Sequence, residues 1–169
     1  STNAHRKGYT PSEQMVGETL DDLFATANGR IIVATFASNV NRIQLIIDTA
    51  VKYKKKVAVS GRSMINIVGI ASELGYLDIP EGTLIDINRL KNFNDKEIVL
   101  ITTGSQGEPM SALTRMASND HRSVQIKPGD LVVLSSSPIP GNEKTISDVV
   151  NKLLQKQAKV IYSDIADIH

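Results

Sequence analysis

The sequence predicts a three-layer α/β/α domain on a mostly parallel sheet. Three observations carry this. Short, predominantly apolar runs (RIIVATF at 30–36, VAVS at 57–60, EIVLIT at 97–102, LVVLS at 131–135) read as strands covered on both faces. Between them lie segments whose apolar residues recur at helical spacing, as helices packed on a sheet require. Small, hydroxylic and turn-forming residues gather where each run ends.

Taken in order, Thr10-Pro11-Ser12-Glu13 has the form of a capping box with Pro at the first helical position. Met15, Val16, Leu20, Leu23 and Phe24 continue that helix, with Gly29 as its expected stop. After the strand at 30–36, a helical stripe runs through Val40, Ile43, Ile46, Ile47, Ala50 and Val51 and ends among Lys52 and Lys54 to Lys56. Next come a strand at 57–60 and a helix from Ser63 to Leu74, closed by Gly75. Residues 76–95 read as loop, with one short edge strand near Leu84. A strand at 97–102 and a short helix at 110–117 follow. Strands are then expected at Ser123 to Ile126 and Leu131 to Ser135, a helix through Ile146, Val149, Val150, Leu153 and Leu154, and a last strand at 159–162.

The 169 residues suit one domain, and 41% apolar content suffices for a core made from Ile, Leu, Val and Ala, since aromatics are 4% with no Trp. A net charge of +1 excludes a polybasic glue, so any polyanion contact must be local. The absence of Cys removes disulfides, thiolate metal sites and a Cys nucleophile, and fits a reducing compartment. No apolar run approaches the roughly 20 residues of a membrane span, and no signal peptide is evident. The start without Met and the stop just after an apolar run read as an excerpt of a longer protein.

In open parallel sheets ligands gather at the carboxyl ends of the strands. The exits carry Ser38, Ser63, Ser105, Ser135 to Ser137 and Ser163. Each either makes a turn and caps a helix, or contributes to a polar groove where helix amino ends favour anions. Arg42 and Arg62 stand at exits where a guanidinium forks onto phosphate oxygens. The Lys52–Lys56 cluster sits at a helix carboxyl end, read as a solvated face or an RNA-backbone contact.

Named motifs fail. The loop GSQG at 104–107 lacks the Gly-Lys-Ser/Thr ending of a Walker loop, and neither Gly-x-Gly-x-x-Gly nor a Gly-x-Ser-x-Gly elbow occurs. His5, His121 and His169 are each isolated, and Asp164, Asp167 and His169 form at most a weak metal-ligand cluster.

The strings ATFASNVNRIQ (34–44), GRSM (61–64), TGSQGEPM (103–110), SSSPIPGN (135–142) and the terminal DIH closely resemble the ribonuclease J family, in order and at its spacing. The resemblance covers essentially the whole chain and implies that residues 1–169 are a β-CASP domain of Rossmann/flavodoxin-like topology. It would lack the flanking metallo-β-lactamase and C-terminal domains of its parent. The family implies a cytoplasmic, zinc-dependent ribonuclease, acting as a 5′-to-3′ exonuclease and an endonuclease in messenger decay and ribosomal RNA maturation. Two zinc ions in the lactamase domain would activate water, with single-stranded RNA as the partner and an oligomeric parent. Ala37, Ser38 and Asn39 match a surface that receives RNA phosphate and sugar, and His169 matches the start of a second substrate-binding segment. Ser105 and Gln106 either touch RNA or hold the groove wall.

The family's ligand string His-x-His-x-Asp-His is missing, as is an acidic residue expected before Ser1. Asn41 stands where many members have His. The chain alone is therefore expected to carry no catalytic or metal-binding residue and to be inert. An inserted domain leaves and re-enters its host at one place, so Ser1 and His169 are expected to be close. Two other readings stay open: a free-standing nucleotide- or phosphate-binding module, and a dimerisation or scaffold domain.

Overall fold

The computed structural model describes residues 10–162. Five strands form one all-parallel sheet: β1 (Ile31–Ala34), β2 (Lys56–Ser60), β3 (Ile98–Thr102), β4 (Leu131–Leu134) and β5 (Lys159–Tyr162). The expected α/β/α layering is present, with strand order β2-β3-β1-β4-β5, so β3 rather than β1 lies next to the edge strand β2.

The layering follows from residue alternation. Ile31, Val33, Val99, Ile101 and Val133 face one core, whereas Ile32, Ala34, Leu100, Val132 and Leu134 face the other. The first core is closed by α1 (Pro11–Thr26), α2 (Val40–Lys52) and α3 (Arg62–Glu73). The second is closed by α4 (Ala112–Ala117) and α5 (Glu143–Gln155). The inner strands β1, β3 and β4 are buried at every position because both their faces are covered, which is why these runs do not alternate with polar residues.

Local chemistry sets the helix ends. Thr10 and Glu13 close the capping box in both directions, and Val16, Leu20 and Phe24 then bury one stripe. Gly75 follows α3 with φ 83°, a left-handed turn that favours glycine. Gly29 serves a different purpose from the expected helix stop. The helix has already ended at Thr26, and a Cβ on Gly29 would lie 2.5 Å from the carbonyl oxygen of Gly129.

Two expectations at the sheet edges need correction or refinement. Ser123 to Ile126 is not a strand, although Val124 and Ile126 are buried as a strand pattern would have them. Side chains take up its backbone polar groups in place of a ladder: the Ser123 and Val124 N–H groups donate to His121 Nδ1, and the Gln125 carbonyl accepts from Arg30. The edge strand near Leu84 reduces to a single parallel bridge with Val57. At the amino ends of the strands, Arg30 and Asp130 form a buried two-point ion pair at 2.6 and 2.9 Å.

Candidate nucleic-acid interface

Because all strands are parallel, their five carboxyl ends share one rim. The chain leaves β1 and β2 toward one face (α2, α3) and β3 and β4 toward the other (α4, α5). In the order β2-β3-β1-β4, neighbouring exits therefore part in opposite directions, which opens crevices where ligands of such sheets bind.

Around the end of β1 the rim is a cross-braced hub. The 36–39 turn closes with the Asn39 N–H donating to the Phe36 carbonyl, and Asn39 Oδ1 accepts from the Arg42 N–H to cap α2. Ala37 and Asn39 are half-buried, and Ser38 is exposed. The Arg42 guanidinium donates to both the carbonyl and the hydroxyl oxygen of Ser135, tying α2 to the end of β4.

Gln106 is 2% exposed and nearly saturated with bonds. Its Nε2 donates to the Ser137 carbonyl at 2.7 Å and to Ser136 Oγ at 3.2 Å, and its Oε1 accepts from the Ile139 N–H at 2.7 Å. Its own N–H donates to Glu108 Oε1, and its carbonyl accepts from the Thr145 hydroxyl. The β3 and β4 exit loops are thereby fastened across the end of β1.

Glycines permit this closeness. Gly104 has φ 115° and Gly107 φ 71°, and a Cβ on Gly107 would sit 2.8 Å from the Thr145 carbonyl. Within the hub the buried hydroxyls Thr35 Oγ1 and Ser105 Oγ meet no hydrogen-bond partner among the described residues.

The neighbouring crevice, between the β2 and β3 exits, has another character. A groove of about 760 Å³ runs between the first turn of α3 and the loop entering α4. Arg62, Ser63 and Asn66 line it from one side, and Glu108, Ser111 and Arg115 from the other. Arg62 is exposed and Arg115 half-buried, and neither guanidinium has a hydrogen-bond or ion-pair partner among the described residues. Gly61, with φ 100°, starts α3 pressed against Thr103, whose Oγ1 would lie 2.6 Å from an added Cβ. Such a groove offers two fork-shaped cations and several neutral donors to a polyanion.

His121 is bonded to Ser60, the residue that precedes Gly61 of the groove wall. Its Nδ1 accepts from the Ser123 and Val124 N–H groups at 3.0 and 3.1 Å, so the ring proton sits on Nε2 and donates to Ser60 Oγ at 2.7 Å. Burial, and then the positive charge of Arg115, hold its pKa below the usual histidine value.

Of the residues singled out from sequence, Arg42 ties α2 to Ser135, Gln106 ties the β3 exit to Ser136 and Ser137, and Arg62 lies in the neighbouring groove. His169 and the expected neighbourhood of Ser1 lie outside the described residues. Glu108 and Arg115 were not singled out as site residues, and His121 was read only as an isolated histidine. Arg115 becomes visible only once 112–117 is a helix starting at this rim, and His121 only once it meets Ser60, 61 positions away in the chain. Among the described residues no group of three His, Asp or Glu could hold a metal ion. No described helix is long and apolar enough to cross a membrane.

The family model described as "Ribonuclease J, beta-CASP domain" matches residues 28–153. Proteins named Ribonuclease J from Helicobacter pylori and Mycolicibacterium smegmatis are each 48% identical to the chain over all 169 residues. The one from Thermus thermophilus is 47% identical over the same span. The chain covers 24%, 30% and 29% of those relatives' lengths, so it spans under a third of the curated proteins it matches. A match over this much of the chain, on a parallel α/β sheet of the expected layering, identifies it as a member of the ribonuclease J β-CASP family.

Proposed function

We propose that this β-CASP domain binds single-stranded RNA along its strand-exit rim and orients it for a metal centre on another domain of a ribonuclease J-type enzyme. The β2/β3 groove is the observation that carries this reading: Arg62 and Arg115 stand on opposite sides of one crevice without hydrogen-bond or ion-pair partners among the described residues. Guanidinium groups so placed grip a phosphodiester backbone without reading its bases, giving salt-sensitive, largely sequence-independent binding. The Ala37–Asn39 turn continues the rim toward β1, where exposed Ser38 and the α2 amino end suit a phosphate or sugar.

The parent's reaction, on this reading, is zinc-dependent phosphodiester hydrolysis, by 5′-to-3′ exonuclease and endonuclease action in messenger decay and ribosomal RNA maturation in the cytoplasm. Two zinc ions would supply the activated water and clamp the developing charge. The described residues do not fit a zinc site, so no step at zinc is assigned to them. This chain's contribution is binding, alignment and exclusion of wrong geometries, and alone it is inactive. In the parent the domain operates within an oligomer.

The experiment is fluorescence anisotropy of the chain with a labelled single-stranded 12-nucleotide RNA, a hairpin RNA and a mononucleotide at low salt. Single-stranded RNA binding that weakens steeply with salt is expected. Tight binding of the mononucleotide with no RNA binding would contradict the proposal and favour a free-standing nucleotide module. A cleavage assay with zinc added is expected to show no turnover; robust hydrolysis by the chain alone would contradict the assigned division of labour.

A further inference from the structure

A second groove lies away from the rim, along the edge strand β2. Its volume is about 580 Å³, and Val59, Ile65, Val68, Ile79, Leu84 and Ile87 supply an apolar lining. Ile65 and Leu84 remain 54% and 45% exposed, large for aliphatic side chains on one surface patch.

The backbone at this edge is partly used. The Val57 N–H donates to the Thr83 carbonyl, and the Val57 carbonyl accepts from the Ile85 N–H. Orientation repeats every second residue in a strand, so Val59 presents its N–H and carbonyl to the same side. There the covering segment has turned away: Asp86 caps a 3-10 turn at Ile87–Asn92, and no partner meets the outward groups of Val59 among the described residues. The edge is thus left open beside an apolar trough.

Gly69 is the second sign. It sits in the interior of α3 and lines the trough, with no atom within 4 Å of where its Cβ would stand. No left-handed backbone requires glycine there, and a helix interior disfavours it. Its effect is to keep the trough wide. The charged residues lining the groove are both acidic, Glu73 and Asp86.

We infer that the β2 edge is a docking site for an extended peptide segment of another protein. The segment adds as a strand beside Val59, places alternate apolar side chains in the trough and meets Glu73 and Asp86 with Lys or Arg. Main-chain bonding to the open edge holds the segment, the trough selects its apolar side chains, and the two carboxylates select its flanking charge. The site is independent of RNA binding at the strand-exit rim.

The test titrates the ¹⁵N-labelled chain with the synthetic peptide acetyl-Lys-Val-Ser-Ile-Thr-Val-Arg-amide. Control peptides carry Glu at both ends, or Pro at the central position. Saturable shifts of the Val59, Gly69 and Leu84 amides are expected, with binding at least tenfold weaker for both controls. Gly69→Leu should weaken binding at least tenfold while leaving the spectrum of the opposite sheet edge unchanged. The pair Glu73→Gln and Asp86→Asn should do the same for the basic peptide, since an asparagine amide oxygen still caps the turn. Absence of shifts at Val59 with millimolar peptide, or equal binding of the Glu-ended peptide, would overturn the inference. So would dimerisation of the chain alone that Gly69→Leu abolishes, since the occupant would then be a second copy.

Discussion

Gln106 and Arg115 leave the same strand and lie nine residues apart, yet their polar groups have different fates. Gln106 is buried and bonded at its amide nitrogen, its amide oxygen and both backbone groups. Arg115 lines an open groove, and its guanidinium has no hydrogen-bond or ion-pair partner among the described residues. The same contrast separates Arg42 after β1, tied to Ser135, from Arg62 after β2 on the groove wall. A polar residue at a strand exit therefore has one of two uses. Where its donors are consumed internally it holds the rim in shape, and where they are left over it can address a ligand.

The largest test of this contrast falls on the hub. Gly107→Ala would force a side chain into a left-handed position and against the Thr145 carbonyl. A loss of about 3 kcal/mol is expected from backbone strain and overpacking, read as a lower urea midpoint. Gln106→Ala comes next. It removes a buried amide and leaves the Ile139 N–H and the Ser137 carbonyl without their partner in a part-buried place, for a cost of about 1 kcal/mol. A neutral outcome for either would place the hub outside the framework of the rim.

The groove should respond in the opposite manner. Arg62→Ala with Arg115→Ala is expected to change stability by less than about 0.5 kcal/mol, as surface substitutions do. The same pair should weaken single-stranded RNA binding and make the log–log salt dependence shallower by about 1.4, at about 0.7 per phosphate contact. A large loss of stability with an unchanged salt slope would exchange the roles of the two regions.

The smallest effect concerns His121. Its folded pKa lies below the unfolded value of about 6.5, so the unfolded chain takes up the proton first as pH falls. Its contribution is fully present above about pH 6.5 and is lost as pH drops toward the lowered folded value. Urea midpoints at pH 7.5 and 5.5 should differ more for the parent chain than for His121→Gln, whose amide neither charges nor loses both hydrogen-bonding roles.

Much of the architecture could be read from sequence because a sheet covered on both faces leaves a strong imprint. Ile31 to Ala34 and Leu131 to Leu134 are apolar at every position and buried at every position. The reading failed at Ser123 to Ile126, where Val124 and Ile126 alternate as in a strand. The His121 ring caps that backbone from two and three residues upstream, and Arg30 reaches it from 95 positions away, which no local pattern encodes. The site was legible in the same proportion. Arg62 stands directly after a strand, so the exit rule finds it. Whether Arg42 spends its guanidinium on Ser135, 93 residues away, is decided by strand order, which periodicity does not report.

The most direct measurement is a map of amide shifts in the labelled chain on adding 5′-phosphorylated single-stranded RNA at low salt. Shifts should concentrate at the carboxyl rim, at Asn39, Gly61 to Asn66 and Ser111 to Arg115, and fade as salt is raised. Shifts centred on the opposite rim, around Gly29, Lys127 and Gly129, or none at all, would contradict the claim that the strand exits of this domain carry the RNA.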